Sequence, residues 1–321
     1  MREKRFSSFI AKYGMPLVLL VLIFGLQLWR PEAKLLSLTN IRTILLQTSV
    51  LGFMALGLSF VMLAGESDIS FAGTLGMMSA IFTMLANSGM NYFQALFLVM
   101  LVGMTVSFLI AVLVIRGGFS AFIISISFMF IGLGIERSFN EGVTIWLTNE
   151  SIKAIGSKTF LNFFVFSWFL VIMFISGFIL VKNTRFGFSL RIVGENKAAA
   201  TEAGISPSRI KIIVFILSGA LYALAATIEP IRYGGSIIGA GQNYMLPALA
   251  ACYLGSTMFT PGRVNIAGTF IGSLFMITIS TFMTLLYLPY YFTPSVQGLT
   301  LLIAVGLSVF KNRKTIQQVK I

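Results

Sequence analysis

Histidine is absent from this chain, cysteine occurs once, as Cys252, and only ten of the 321 residues are acidic. Each scarcity removes a class of chemistry. Without histidine there is no imidazole base, and a lone cysteine can form no intrachain disulfide. There is no GxSxG elbow for acyl transfer and no GxxxxGK[ST] loop to cradle phosphates, so the chain carries nothing with which to hydrolyse ATP itself. The acids are Glu3, Glu32, Glu66, Asp68, Glu136, Glu141, Glu150, Glu195, Glu202 and Glu229, and nearly all fall in predicted loops or at span ends. That leaves an ion-coupled carrier few intramembrane carboxylates to work with. No cluster of ligating side chains suggests a metal, and no polar stretch is long enough to fold as a separate soluble domain.

The remainder is apolar. The chain is 57% hydrophobic and 10% charged, with a mean hydropathy of +0.93, against about 25% charged in a soluble domain. This composition implies an all-α polytopic membrane protein, a single transmembrane domain over residues 1–321. Apolar runs near the roughly 20 residues that cross a bilayer as helix predict about ten spans: Tyr13–Trp29, Ile41–Ala64, Phe71–Ala86, Tyr92–Ile115, Phe119–Ser138, Phe160–Val181, Ile210–Ile228, Tyr244–Met258, Val264–Leu286 and Ser295–Phe310. The third and eighth are short and hold Gly73, Gly76, Pro247 and Gly255, a pattern suited to broken or re-entrant helices.

An even number of spans places both termini on one side, and the basic residues choose which. Arg2, Lys4, Arg5, Lys12, Arg116, Lys182, Arg185, Arg191, Lys197, Arg209, Lys211, Arg263, Lys311, Arg313, Lys314 and Lys320 share a side under this topology, leaving only Arg30, Lys34, Arg42, Arg137, Lys153, Lys158 and Arg232 opposite. Both termini and the loop at about 183–209 are therefore expected in the cytoplasm. The net charge of +13 follows from this flanking pattern rather than from a basic stripe, and nucleic acid is not an expected partner. The start MREKRF resembles a secretory signal, but Leu28-Trp29-Arg30-Pro31 offers no small-residue cleavage site, so it reads as the first anchor.

Residues 193–206, VGENKAAATEAGIS, are polar and Gly/Ala-rich between long apolar runs. Asn196 as N-cap, the alanines 198–200, a stop at Gly204 and Pro207 beyond it predict a short exposed helix. Asp68 and Ser70 read either as polar groups of a translocation path or as caps of the third span. Gln47, Thr48 and Ser49 are consecutive polar residues in an apolar helix, about 100 degrees apart, so not all can face one cavity. Ser125, like Ser127, suits a close helix contact or the path. Gly52, Gly57, Gly268 and Gly272 suit helix packing. Glu229, Pro230 and Arg232 at the outer end of the seventh span, and Glu141, Glu150, Lys153 and Lys158 in the long loop after the fifth span, are candidates for docking a soluble partner. A short echo links FAGTLG at 71–76 with IAGTFIG at 266–272.

Phe186-Gly187, Gly194-Glu195-Asn196, Ala199-Ala200 and Ala203-Gly204-Ile205 resemble the cytoplasmic coupling loop of permeases from ribose-type, simple-sugar ABC importers. Gln47-Thr48-Ser49, Ala55-Leu56-Gly57 and Asp68-Ile69-Ser70 resemble that family's second span and following turn. Ala248 to Gly255, Pro261-Gly262-Arg263 and Gly268 to Gly272 resemble its late glycine-rich region. Phe188 and Glu66-Ser67 depart from the usual residues. The resemblance covers about 41–310 and implies a ten-helix permease paired with a second copy of itself or a related chain. Two ATPase subunits would sit below, holding ATP and Mg, and a soluble or lipid-anchored substrate-binding protein would sit above; this chain would bind no cofactor and do no catalysis. Gly194, Glu195, Asn196, Ala199, Ala200, Glu202, Ala203, Gly204 and Ile205 would contact the ATPase. The expected function is import of a small polar solute, a sugar or sugar-like compound, across a bacterial inner membrane; an ion-coupled carrier is the alternative.

Overall fold

The computed structural model describes residues 31–318 apart from Leu35 and Pro261, with isolated positions between 17 and 28; the predicted span Tyr13–Trp29 lies largely outside the described residues. The helices, in chain order, are α1 (Leu38–Leu63), α2 (Phe71–Asn87), α3 (Tyr92–Ile115), α4 (Ala121–Asn140), α5 (Glu150–Ser157), α6 (Val165–Asn183), α7 (Arg185–Glu195), α8 (Lys197–Glu202), α9 (Pro207–Tyr233), α10 (Gln242–Ser256), α11 (Ile266–Leu285) and α12 (Thr293–Gln318). Four two-residue strands join them: β1 (Ile145–Trp146), β2 (Thr159–Phe160), β3 (Phe163–Phe164) and β4 (Gly235–Ser236).

Among the described residues, six helices are long and apolar enough to cross a membrane: α1, α3, α4, α6, α9 and α11. The short third and eighth spans form α2, with 17 residues, and α10, with 15. The sixth span is expected from Phe160, yet Phe160–Phe164 forms the β2–β3 hairpin, turned by Leu161 (φ 47) and Asn162 (φ 67). Apolar composition does not by itself distinguish strand from helix, and the left-handed pair at Leu161-Asn162 decides it.

Residues 49–245 form one compact unit. Every residue of α1 from Val50 to Val61 is buried, so this stretch is covered by protein on all faces. In lipid, apolar side chains gain little by leaving one another's company, and helices associate through close backbone approach. Gly103 on α3 meets Gly219 on α9, where a Cβ on Gly103 would lie 2.5 Å from the Gly219 carbonyl oxygen. Gly132 on α4 backs onto Gly73 of α2, where an added Cβ would lie 2.8 Å from backbone. Gly57 of α1 leaves room for the Tyr222 ring, which also packs on Phe71 at 5.3 Å between centroids. Outward, α3, α4 and α6 present Phe93, Leu101, Phe122, Phe130, Ile172 and Ile175, an apolar face suited to lipid.

The connection from α4 to α6 is tied to the end of α2. Asn149 caps α5 while donating from Nδ2 to the Ala86 carbonyl at 2.8 Å, and Asn87 donates to the Trp146 carbonyl at 2.8 Å. β1 pairs antiparallel with β4, with Ile145 opposite Ser236 and Trp146 opposite Gly235.

The second unit comprises residues 1–48 and 246–321. Within it, Gly255 meets Gly268 and Ala251 meets Gly272, so the glycines of α11 serve close helix packing as expected. Asn265 pins this hairpin: its Nδ2 donates to the Gly255 and Met258 carbonyls at 2.9 and 3.0 Å, and its Oδ1 accepts from Gly268 N at 2.7 Å.

Candidate functional site

The polar segment after α6 is built by local rules. Thr184 caps α7 by accepting from Gly187 N at 3.1 Å, and Gly187 lies so close to the Leu180 and Val181 carbonyls that no side chain fits. Asn196 then caps α8, its Oδ1 accepting from Ala198 N and Ala199 N at 3.0 and 3.1 Å. Gly204, at φ 75, ends the helix, and Ile205 N returns to the Ala200 carbonyl at 2.9 Å. Of the alanines, Ala200 faces the protein and is wholly buried, while Ala198, Ala199, Glu195, Asn196, Glu202, Ala203 and Gly204 are exposed and Ile205 is half-buried. The expected short helix is present; the local signals do not announce α7, an amphipathic helix ahead of it.

Gly194 seats this segment. It packs on the Leu63 carbonyl at the end of α1, and a Cβ added to Gly65 would lie 3.3 Å from the Gly194 carbonyl oxygen. Glu66 pairs with Lys211 of α9, so the residue that departs from the usual pattern holds the turn after α1 to the start of α9. Phe188, the other departure, is exposed.

Asp68 and Ser70 come together beyond that turn. Asp68 is fully buried and its Oδ1 accepts from Ser70 N at 2.8 Å. This is a local Asx-type turn, and Ser70, at the N-cap position, makes no side-chain cap, so neither residue caps α2 as a helix cap does. Burial pushes the Asp68 carboxyl above its ordinary 3.8, while hydrogen bonding from Ser70 pulls it down.

Two of the other predicted path residues, Thr48 and Ser125, spend their hydroxyls locally. Thr48 Oγ1 donates to the Ile44 carbonyl at 2.7 Å and Ser125 Oγ to the Phe122 carbonyl at 3.0 Å, bonds that satisfy a hydroxyl within its own helix. Ser49 is buried in α1. Gln47 accepts from Thr281 Oγ1 at 3.5 Å within the second unit.

Sequence reasoning misses two buried carboxylates. Glu136 on α4 and Glu229 on α9 lie about a turn from their helix ends, as expected, but both are wholly buried, which removes Glu229 from the candidate docking surface. Glu229 Oε2 accepts from Ser79 Oγ at 2.9 Å, and Glu136 Oε1 accepts from Gly239 N at 3.0 Å. Gly76, one turn before Ser79 on α2, leaves the space that the Glu136 carboxylate fills. Arg232 lies over the Tyr233 ring at 4.6 Å, and Glu150 pairs with Lys153 at 2.7 Å on α5.

Residues 40–305 match the family described as "branched-chain amino acid transport system / permease component". The chain is 30% identical over 304 residues to the ribose import permease protein RbsC of Bacillus subtilis, covering 94% of each chain. It is 30% identical over 293 residues to RbsC of Haemophilus influenzae, covering 90% of each. Over 305 residues it is 28% identical to the L-arabinose ABC transporter permease protein AraH of Azospirillum brasilense, covering 95% of this chain and 89% of that one. No solved structure matches.

Proposed function

The chain belongs to the family of branched-chain amino acid transport system permease components, matched over residues 40–305, and from that premise we propose that it carries a sugar or sugar-like solute inward across a bacterial inner membrane as the permease subunit of an ABC importer. It is a multi-pass, non-catalytic subunit, and ATP and Mg belong to a separate ATPase. A substrate-binding protein delivers the solute. Relatives named for ribose import and for L-arabinose ABC transport, similar along nearly their whole length, support this substrate class.

In this reading about ten spans place both termini in the cytoplasm, and a second permease copy completes the translocation unit. The segment from Gly194 to Ile205 seats in the ATPase. The observation that carries this is the arrangement of α8: a small-residue helix with Ala198 and Ala199 outward, rooted by Gly194 on the end of α1. Small side chains permit close docking, and Glu195, Lys197 and Glu202 set register. Asp68 and Ser70 lie at the cytoplasmic side of the path.

Reconstitution with the ATPase and binding protein tests the reading. ATP-driven solute uptake is the expected result, and Ala199→Glu abolishes both uptake and ATPase association while the protein remains in the membrane. Uptake that survives ATP depletion and collapses with an uncoupler overturns it.

A further inference from the structure

The segment between α9 and α10, residues 234–241, reads GGSIIGAG. It is irregular apart from the two residues of β4, yet Gly235, Ser236, Ala240 and Gly241 are buried. Irregular backbone within a membrane protein persists only where protein or a water-filled cavity satisfies its polar groups. Here α2 and α4 hold the segment, with the strand that follows α4. Leu147 N donates to the Gly234 carbonyl at 2.9 Å beside the β1–β4 pair. Gly239, at φ 69, donates its N–H to Glu136. Gly241 approaches α2 so closely that a Cβ would lie 2.7 Å from the Ala72 carbonyl oxygen. In the last turns of α9, just before the segment, Glu229 is bonded to Ser79 of α2.

α2 begins at the Asp68–Ser70 turn, which follows shortly after Gly65, itself packed on Gly194. Seventeen residues of helix make α2 a rod of about 25 Å, with the seat of α8 near its start and attachments to residues 229–241 along Ala72, Gly76 and Ser79. A leucine could fill the space of Glu136 without the cost of burying a carboxylate. The carboxylate supplies an acceptor for an irregular segment's amide, and one hydrogen bond can be broken and remade in each transport cycle.

We infer that residues 234–241, which run from the β1–β4 pair beside the end of α2 to Ala72 at its start, gate the solute path, that α2 moves them in response to α8, and that Glu136 is the positioning residue that holds the gate in its seated state. This rests on the importer-permease reading above. Glu136 touches no solute in this scheme and acts through Gly239.

The test uses the reconstituted complex in a Cys252→Ala background carrying Ile237→Cys, since Ile237 is the exposed side chain of the segment. A membrane-impermeant maleimide is applied in nucleotide-free and vanadate-trapped states, alongside uptake by otherwise unaltered Glu136 variants. With Glu136 intact, the labelling rate at position 237 changes between the states. Glu136→Leu raises labelling to the fast rate in both states and lowers maximal uptake about tenfold, the effect of losing a hydrogen bond to a charged group, with little change in KM. Glu136→Gln, which retains an acceptor oxygen, restores state-dependent labelling and most of the uptake. Equal labelling in both states with Glu136 intact, alongside normal ATP-driven uptake, overturns the gate and leaves the importer reading standing. Wild-type-like labelling and uptake in Glu136→Leu overturns the role of Glu136. Absence of ATP-driven uptake by the wild-type complex overturns the importer reading and the gate together.

Discussion

Ser79 and Glu229 are 150 residues apart, yet the Ser79 hydroxyl donates to the Glu229 carboxylate at 2.9 Å, and both residues are buried. The bond joins α2 to the last turns of α9. Ser79→Ala leaves the carboxylate without this donor, a loss of about 1–3 kcal/mol for a buried group deprived of its partner. The thermal midpoint of the detergent-solubilised protein is expected to fall by several degrees. Glu229→Gln, which keeps an acceptor for the hydroxyl, is expected to fall less; a larger fall in that variant contradicts the assignment.

The seat of α8 makes a separable prediction. Gly194→Val drives a branched side chain into the Leu63 carbonyl, whereas Asn196→Ala only removes a cap worth about 1 kcal/mol. Both variants are expected to insert in the membrane. In ATPase pull-down the first loses association outright, and the second weakens it severalfold.

Glycine at position 103 is set by backbone contact, and at position 134 it is not. A Cβ at Gly103 meets the Gly219 carbonyl at 2.5 Å, while at Gly134 nothing lies within 4 Å. Gly103→Ala is expected to destabilise by about 1–3 kcal/mol through overpacking. Gly134→Ala is expected to be neutral or to stabilise by up to about 1 kcal/mol, from helix propensity alone. Thermal unfolding of the two variants in one detergent checks the contrast.

Burial raises the folded-state value of Asp68 above its ordinary 3.8. The sign follows from linkage: an acid whose folded value is raised favours folding most when protonated, so its contribution is present below 3.8 and is lost as pH rises toward the folded value. Asp68→Asn retains an acceptor for Ser70 N and removes the titration. The variant is expected to gain thermal stability relative to wild type on going from pH 4 to pH 7; a parallel pH dependence in the two proteins contradicts it.

Where length and apolarity decide the structure, the sequence is readable. The runs at 41–64, 92–115 and 264–286 become α1, α3 and α11 within a few residues, because a helix is the economical way to satisfy backbone polar groups in lipid. Asn196 and Gly204 mark α8 because caps act on their own neighbours. The β2–β3 hairpin is hidden because Phe160 to Phe164 is as apolar as the helix that follows, and its turn residues include a leucine. Glu136 and Glu229 are hidden for a different reason: each lies within a turn or so of its helix's C-terminal end, where an acid facing solvent and an acid facing Gly76 or Ser79 read identically. Their burial depends on which face of α4 and α9 meets α2, a rotation that no local spacing encodes. The glycines at 73, 76 and 132 form a complementary stripe, but they name a close contact without naming its partner.

With six residues, α8 is far below the length at which a helix sustains itself in water, since nucleation costs more than so few hydrogen bonds return. Its order is borrowed from Gly194 on α1, from Ala200 packed inward, and from the cap and stop at either end. A free peptide of residues 194–206 is therefore a coil, and under the proposed ATPase contact would compete poorly with the intact protein. An inhibitor patterned on this handle must bring its own scaffold, a covalent staple or a grafted helical turn, to replace what the bundle lends.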